Sequence, residues 1–190
     1  RWRAAMELSI RTLGPEAPAQ APFEVAERKG LGHPDSICDA LVENLSLGLA
    51  RTYHDRFGMV LHHNVDKALL VGGSARAAFG GGAVDEPIEI VLAGRATRAH
   101  RGQAIPVDEL AVAWTRQWLT RNLRHLDAER HVRIVTRIRP TSADLGALYA
   151  RGGDRGAPRA NDTSIGTGVA PLDALEQAVL AAERALNAPA

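Results

Sequence analysis

Ten residues, Glu27-Arg28-Lys29-Gly30-Leu31-Gly32-His33-Pro34-Asp35-Ser36, join a short apolar segment to a long helical pattern. They place two glycines, a lysine, a histidine and an aspartate where a strand is expected to turn into a helix. At such a turn, backbone N–H groups and the positive end of the helix dipole can bind an anion, while Asp35 and Glu27 can hold its counter-cation. The stretch therefore indicates a site for a metal-bound polyphosphate. In the alternative interpretation, Asp35 or Ser36 only caps the helix and the glycines only form the turn.

The rest of the chain alternates helical and extended patterns around this stretch. Apolar residues recur every four positions after it and predict a helix over residues 35–53, with a buried face formed by Ile37, Leu41, Leu45 and Leu49. Two more helices are predicted at residues 107–123 and 172–186, and strands at residues 23–26, 59–71, 87–93 and 131–138. The second helix is expected to bury Leu110, Ala111, Trp114 and Trp118. This order predicts an α/β (α+β) fold with its polar residues concentrated in glycine-rich connections.

The composition limits the classes of protein to which the chain can belong. With 190 residues, 45% of them hydrophobic, it is long enough to bury a core. We expect an N-terminal segment and linker in residues 1–22 and a folded region in residues 23–190. The formal net charge of +1 provides no general attraction to nucleic acid or membranes, and a single cysteine, Cys38, cannot form a disulfide within the chain. These observations predict a cytoplasmic protein without nucleic-acid or membrane partners.

A second polar run follows the first predicted helix. If it is extended, its side chains alternate, so that one face carries His62, Asn64 and Asp66 and the other carries His63, Val65 and Lys67. Neighbouring histidines on opposite faces do not share a metal readily, and one cysteine supplies no second ligand set, so a zinc site is not expected. Neither a phosphate loop ending in Gly-Lys-Ser/Thr nor a dinucleotide-binding fingerprint occurs, which argues against the two commonest nucleotide-binding folds.

The stretch at residues 27–36 resembles the signature of the S-adenosylmethionine synthetases (methionine adenosyltransferases), and specifically of their archaeal-type branch. Further segments resemble that family in the same order, namely Leu61-His62-His63-Asn64 with Asp66, Val71-Gly72-Gly73, Phe79-Gly80-Gly81-Gly82, Gly94-Arg95-Ala96, Leu123-Arg124-His125-Leu126-Asp127, Ala160-Asn161-Asp162-Thr163-Ser164 and Ala170-Pro171-Leu172. The resemblance covers most of residues 25–187. It implies repeated, pseudo-threefold-related units in which a mixed sheet packs with helices.

The resemblance also implies an activity and the residues that perform it. The activity is that of a transferase of one-carbon metabolism, which forms S-adenosylmethionine from ATP and L-methionine with release of phosphate and diphosphate. His33 and Asp35 are implied to be catalytic, and ATP and its phosphates to be contacted by His33, Lys29, Gly32 and Asp162. Methionine or the nucleoside is implied to be bound by Asp162, Asn161 and Asp66. Mg²⁺ is implied to be bound by Asp35 and Glu27, and K⁺ is a further expected cofactor without an assigned site.

Two local departures and the length qualify this implied function. Arg139-Pro140-Thr141-Ser142 stands where the family usually has a Gly-Gln-Gly-Ser type turn, and Asn64-Val65-Asp66-Lys67 replaces the usual Asn-Thr-Asp-Gln. Family members are considerably longer, so we expect an N-terminal portion or a shortened homologue. Such a chain would act in a homo-oligomer, or in a hetero-oligomer whose other chain supplies the missing half of the site. The alternative is a non-catalytic paralogue that binds ATP or S-adenosylmethionine as a regulatory or assembly subunit.

Overall fold

The computed structural model describes residues 9–10, 23–141, 168 and 170–188, and the structural statements below concern these residues. The chain divides into two compact units. The larger unit is Lys29–Gly166, and the smaller one combines Arg1–Arg28 with Thr167–Ala190.

The larger unit contains two helices and seven strands in its described part. In chain order these are α1 (Pro34–Phe57), β1 (His63–Val71), β2 (Ser74–Ala78), β3 (Gly81–Glu86), β4 (Ile88–Ala96), β5 (Ala99–His100), β6 (Gln103–Ala104), α2 (Val107–Asn122) and β7 (Val132–Pro140). The main sheet has the order β1-β4-β7, with β1 antiparallel and β7 parallel to the central β4. Strands β2 and β3 form one hairpin, and β5 and β6 form another. The mixed sheet packed with helices confirms the predicted α/β class.

Helix α1 confirms the helix predicted over residues 35–53 and extends it to Phe57. Pro34 occupies the first turn, where its missing N–H costs nothing, and Gly58 ends the helix in the left-handed conformation with φ of 72°. The predicted apolar stripe is buried, together with Tyr53 at the next position in the series. This stripe packs on β1 and on α2, so that α1 holds the edge strand of the sheet in place.

Helix α2 is also confirmed, but its buried face differs from the prediction. The buried positions are Val107, Ala111, Thr115 and Leu119, whereas Leu110, Trp114 and Trp118 are only partly buried. Gly48 explains the position of Trp114, because a Cβ at residue 48 would lie 2.6 Å from the indole ring. The bulky ring therefore lies across the contact between α1 and α2, and smaller side chains face the sheet.

The strict alternation expected for β1 is wrong beyond Asn64. The pairing of β1 with β4 shifts between Asn64 and Lys67, so that Val65 and Asp66 together stand opposite Gly94. Gly94 has φ of 149°, and a Cβ there would lie 2.3 Å from the carbonyl oxygen of Asn64. The bulge shifts the inward-facing positions by one residue: Leu61 and the bulge residue Val65 are buried, whereas Ala68 and Leu70 are the half-buried residues after it.

The strand predicted at residues 23–26 is wrong, since this segment is irregular and leaves Phe23 and Val25 exposed. Among the described residues, no strand pairs with it, and so short a segment has little stability without a neighbouring strand. Helix α3 (Ala174–Asn187) in the smaller unit confirms the third predicted helix. Asp173 caps it in a reciprocal arrangement with Glu176, and it contains no buried residue. Within the part of the chain that the structure describes, no helix is both long and apolar enough to cross a membrane.

Candidate active site

The predicted polyphosphate stretch forms a closed turn at the start of α1. Two hydrogen bonds close it: the His33 N–H donates to the Gly30 carbonyl at 3.0 Å, and the Ser36 hydroxyl donates to the Lys29 carbonyl at 3.3 Å. We call these residues the 29–36 turn. The closure fixes the backbone of Lys29 next to the first turn of the helix, so that its side chain lies alongside Asp35.

His33 is the residue that caps α1. Its Nδ1 accepts a hydrogen bond from the Asp35 N–H at 3.1 Å, and its carbonyl accepts from the N–H of Ile37 at 2.9 Å. The alternative in which Asp35 or Ser36 caps the helix is therefore wrong. Since Nδ1 is an acceptor here, the proton of the neutral imidazole is on Nε2. The histidine side chain is 40% exposed and retains a hydrogen-bond donor that the helix does not use.

Lys29 forms an ion pair with Asp35. The hydrogen bond and the charge of Lys29 are the main causes that lower the pKa of the Asp35 carboxyl, and His33 adds a smaller contribution. Both side chains are well exposed, at 50% for Lys29 and 59% for Asp35. Asp35 is therefore an ionised and accessible carboxylate at neutral pH.

The backbone of the 29–36 turn offers fewer donors to an anion than the sequence suggested. Pro34 has no N–H, and the N–H of Asp35 is already donated to His33. The side chains of Lys29 and His33 and the helix dipole therefore add to the attraction that the remaining N–H groups of the turn can exert on a polyanion. A Cβ added to Gly32 would meet no atom within 4 Å, so this glycine leaves open space beside the turn.

An open groove of about 450 Å³ lies between α1 and the edge strand β1. We call it the α1–β1 groove; it is lined by Asp39, Val42, Glu43 and Ser46 of α1 and by His63, Asn64, Val65 and Asp66 of the strand. Asp39 and Glu43 follow Asp35 at intervals of four residues, so the three carboxylates share one face of α1. Asp66, which follows the buried Val65 in the bulge, forms an ion pair with Lys67 at 2.7 Å. This contact lowers the pKa of Asp66.

The wall of the α1–β1 groove contains an ordered histidine. His63 Nδ1 lies 2.9 Å from the carbonyl of Leu61, to which it donates because a carbonyl can only accept. In the neutral imidazole Nε2 is then the acceptor, and the hydroxyl of Ser46 donates to it at 3.1 Å; the ring is tilted against Tyr53. These contacts fix the imidazole between α1 and β1.

Comparison with known proteins identifies the family. The model of the family described as S-adenosylmethionine synthetase (AdoMet synthetase) matches residues 6–190. The chain belongs to the S-adenosylmethionine synthetase family. A probable S-adenosylmethionine synthase of Aquifex aeolicus is 54% identical over 167 residues, which are 87% of this chain and 42% of that protein.

Two further relatives are named S-adenosylmethionine synthase. The protein of Pyrococcus furiosus is 46% identical over 164 residues, covering 86% of this chain and 41% of the relative. The protein of Halobacterium salinarum is 45% identical over 189 residues, covering 96% of this chain and 46% of the relative. The resemblance to the archaeal-type branch is confirmed. The chain spans less than half the length of these curated relatives.

The structure brings together some of the residues that resemblance to the S-adenosylmethionine synthetases assigned to the site. Lys29, Gly32, His33 and Asp35 meet in the 29–36 turn, and Asp66 lies in the α1–β1 groove. Glu27 belongs to the smaller unit and is exposed there. Asn161 and Asp162 lie outside the described residues.

The donor set at the 29–36 turn fits the Mg²⁺ that S-adenosylmethionine synthetases are expected to use, provided that a substrate completes the site. Mg²⁺ prefers oxygen ligands and is commonly held by one or two carboxylates together with phosphate oxygens and water. Asp35 is an ionised, exposed carboxylate of this kind. Among the described residues, no group of three or more histidine, cysteine, aspartate or glutamate side chains could hold a metal ion by itself.

The sequence did not predict a site role for four residues that line the α1–β1 groove, namely Asp39, Glu43, Ser46 and His63. One signal was available, because the spacing of four from Asp35 through Asp39 to Glu43 places them on one helix face. The contribution of His63 could not be found in this way. It depends on the docking of β1 against α1, which joins residues distant in sequence.

The segment that departs from the family's turn pattern is part of a strand in the described structure. Arg139 and Pro140 continue β7 and pair with the end of β4, and the Thr141 N–H donates to the Ala96 carbonyl at 3.2 Å. The Thr141 hydroxyl also lies 3.1 Å from Nδ1 of the buried His62. These bonds hold the end of β7 in an extended conformation. Residue 142 lies outside the described part of the chain.

Proposed function

We propose that this chain functions in methionine adenosyl transfer, forming S-adenosylmethionine from ATP and L-methionine with release of phosphate and diphosphate. The observation that carries the proposal is the 29–36 turn in a chain of this family. It combines the ionised carboxylate of Asp35, the ammonium of Lys29 and a histidine whose donor is Nε2. These three groups match the needs of a reaction that expels a polyphosphate.

The chemistry defines the task of each group. The methionine sulfur attacks C5′ of ATP and becomes a sulfonium, while the bond from C5′ to oxygen breaks and its electron pair goes to the departing tripolyphosphate. Water then hydrolyses one P–O–P bond of the tripolyphosphate to give phosphate and diphosphate. In the transfer step, charge develops on the oxygen that leaves, and donors placed there stabilise the transition state. His33 donates from Nε2 to this oxygen, Lys29 binds a phosphate oxygen, and Gly32 leaves space for the phosphate chain.

Asp35 and Glu27 are the proposed ligands of Mg²⁺. The bound ion supplies positive charge to the polyphosphate. The low pKa of Asp35 keeps its carboxylate ready for a cation throughout the neutral range. K⁺ is a further proposed cofactor, for which we assign no residues.

The α1–β1 groove is the proposed location for the ammonium group of methionine, with Asp66 as its partner. Asp39, Glu43 and Asp66 give the groove a negative lining that suits a cationic group. Asn161 and Asp162 remain proposed substrate contacts on the basis of their motif alone. The product formed at C5′ is a sulfonium, which is also a cation and is compatible with the same lining.

The proposed reaction requires more positive charge than the side chains of the 29–36 turn supply. A tripolyphosphate carries several negative charges, and at the 29–36 turn only the side chains of Lys29 and His33 are available to meet them. The chain also spans less than half of its curated relatives. We therefore propose a homo-oligomer, or a hetero-oligomer with a chain that supplies the other half of the site.

The experiment incubates the purified chain with ATP, L-methionine, Mg²⁺ and K⁺. One series contains the chain alone, and another adds a polypeptide corresponding to the part of the Pyrococcus furiosus relative that this chain does not match. S-adenosylmethionine is measured by mass spectrometry and phosphate by colorimetry. We expect product in the presence of the second polypeptide. Product from the chain alone would confirm the activity and contradict the need for a different second chain.

A second candidate is a non-catalytic subunit that binds ATP or S-adenosylmethionine, because the ammonium of Lys29, the Nε2 donor of His33 and the open space beside Gly32 also suit binding without turnover. The same experiment separates it from the enzyme when calorimetric titrations with ATP and with S-adenosylmethionine are added. Tight binding without product in any mixture would reject the catalytic proposal and support the binding subunit.

A further inference from the structure

The proposed metal ligand of the 29–36 turn is already neutralised by a side chain. Lys29 is one of two lysines in the chain, and its ammonium contacts the Asp35 carboxylate directly. The contact is built into the local fold, since the Ser36 hydroxyl holds the Lys29 carbonyl and the Gly30 carbonyl accepts from His33. A cation that binds Asp35 through the same oxygen must therefore replace the ammonium of Lys29.

Exposure makes this replacement easy. Lysine–carboxylate pairs that are open to water contribute little to stability, because solvation of the separated charges competes with their attraction. Lys29 is 50% exposed and Asp35 is 59% exposed, so neither depends on the other for burial. Lysine also carries a compact charge on a flexible stem, which allows the ammonium to move while the backbone stays in place.

We propose that Lys29 and Mg²⁺ exchange at Asp35. Before the metal arrives, Lys29 holds the carboxylate; when Mg²⁺ takes the carboxylate, the ammonium moves to a phosphate oxygen of the substrate. Ammonium groups on flexible side chains are common phosphate ligands, which makes the second half of the exchange favourable. The inference rests on the proposed function, which supplies the metal and the polyphosphate. It adds that Lys29 contacts two partners one after the other, first Asp35 and then a phosphate oxygen. Metal binding is thereby linked to substrate binding.

The exchange predicts that one substitution at Lys29 strengthens metal binding and weakens polyphosphate binding. In Lys29→Met the competitor for Asp35 is absent, so Mn²⁺ alone binds about twofold to fivefold more tightly than it does to the wild-type chain. The same variant lacks the phosphate ligand, so inorganic tripolyphosphate with saturating Mg²⁺ binds roughly tenfold more weakly. Mn²⁺ binding is measured by electron paramagnetic resonance of the free ion, and tripolyphosphate binding by calorimetry.

Two control variants test whether the changes in Mn²⁺ and tripolyphosphate affinity arise from the Lys29–Asp35 pair. Asp35→Asn removes the carboxylate and is expected to abolish the Mn²⁺ site on which Lys29→Met acts. Lys67→Met removes the other lysine, which also contacts an exposed carboxylate, at 2.7 Å from Asp66, and is expected to leave tripolyphosphate affinity unchanged. Circular dichroism verifies that each variant is folded, which the exposure of these side chains leads us to expect.

The exchange is overturned if Lys29→Met binds Mn²⁺ no better than wild type, or if its affinity for tripolyphosphate with Mg²⁺ is unchanged. Unaltered Mn²⁺ binding in Asp35→Asn would place the metal elsewhere and would also overturn it. Because the metal titration contains no ATP or methionine, its result is independent of whether the chain forms S-adenosylmethionine. Failure of the proposed activity is thus distinguishable from failure of the exchange.

Discussion

His33 combines a structural and a proposed chemical task on the two nitrogens of one ring. Nδ1 caps α1, and Nε2 carries the proton that we assign to the departing oxygen. The substitution His33→Asn separates these tasks, because asparagine is a good helix cap but places no donor at the position of Nε2. We expect turnover to fall by about 10²-fold or more, while the dissociation constant for ATP changes only a few-fold.

This prediction is measured by steady-state kinetics and ATP titration in whichever mixture forms product. His33→Ala is the matched control, since it removes the cap as well and should reduce the free energy of unfolding by about 1 kcal/mol. Equal losses of turnover and ATP affinity in His33→Asn would show that the histidine only binds the nucleotide.

Tyr53 provides a prediction about pH. It is fully buried, its hydroxyl donates to the Thr97 carbonyl at 2.9 Å, and burial raises its pKa from 10.0 to about 12. The fold therefore favours the neutral phenol over the phenolate. The stability that this preference contributes is complete below about pH 10 and is lost as the pH rises towards 12.

The measurement is urea unfolding between pH 8 and the alkaline limit of the native state, for wild type and for Tyr53→Phe. At pH 8 the variant should be less stable by roughly 1 kcal/mol, because the Thr97 carbonyl loses a donor. Above pH 10 the stability of wild type should fall more steeply than that of the variant, and the difference between them should shrink. Parallel curves for the two proteins would contradict the assignment.

At the scale of the elements, the contact between α1 and α2 depends on Gly48. Alanine is normally better than glycine inside a helix by about 1 kcal/mol, so Gly48→Ala would be stabilising in an isolated helix. Here the new Cβ would lie 2.6 Å from the Trp114 ring, which must then move. We expect a net loss of about 1–3 kcal/mol in the free energy of unfolding, measured by chemical denaturation.

A double-mutant cycle tests whether Trp114 causes this loss. In a Trp114→Leu background the obstacle is smaller, so Gly48→Ala should become neutral or stabilising. The same loss in both backgrounds would mean that another part of the helix pair is responsible.

The elements that the sequence predicted correctly are those with a local signal. The spacing of Leu41, Leu45 and Leu49 defined α1, and the run of β-branched residues around Ile134 and Val135 defined β7. The incorrect strand at residues 23–26 had the right alternation but no described neighbour to pair with. The bulge opposite Gly94 also could not be predicted from local sequence patterns, because it arises from the pairing of two strands.

The candidate site also has one part that local sequence predicts and another that depends on tertiary packing. Lys29, His33 and Asp35 are close in sequence, so their proximity in the 29–36 turn could be predicted from one short string. The identity of the cap could not, because histidine is less usual there than aspartate or serine. The α1–β1 groove required the packing of an edge strand on a helix, which no residue pattern within either element reveals.

At the scale of the whole molecule, the buried core is confined to one unit. The buried hydrophobic residues of the described chain extend from Ile37 to Ile138, and all of them lie within Lys29–Gly166. Helix α3 has none, although its sequence is amphipathic and its capping box is complete. Hydrophobic burial is the main source of folding free energy, so the larger unit should contain most of the stability of this chain.

Removal of residues 167–190 tests this directly. We expect the truncated chain to unfold cooperatively at a melting temperature within about 4 °C of the full chain, which corresponds to roughly 1 kcal/mol. Leu45→Ala in the full chain is the matched comparison, because it empties a buried position of α1 and should cost about 2–5 kcal/mol. Differential scanning calorimetry measures both. If truncation lowers the melting temperature as much as Leu45→Ala does, then the terminal segment makes an essential contribution to the core, and the stability is shared between the two units.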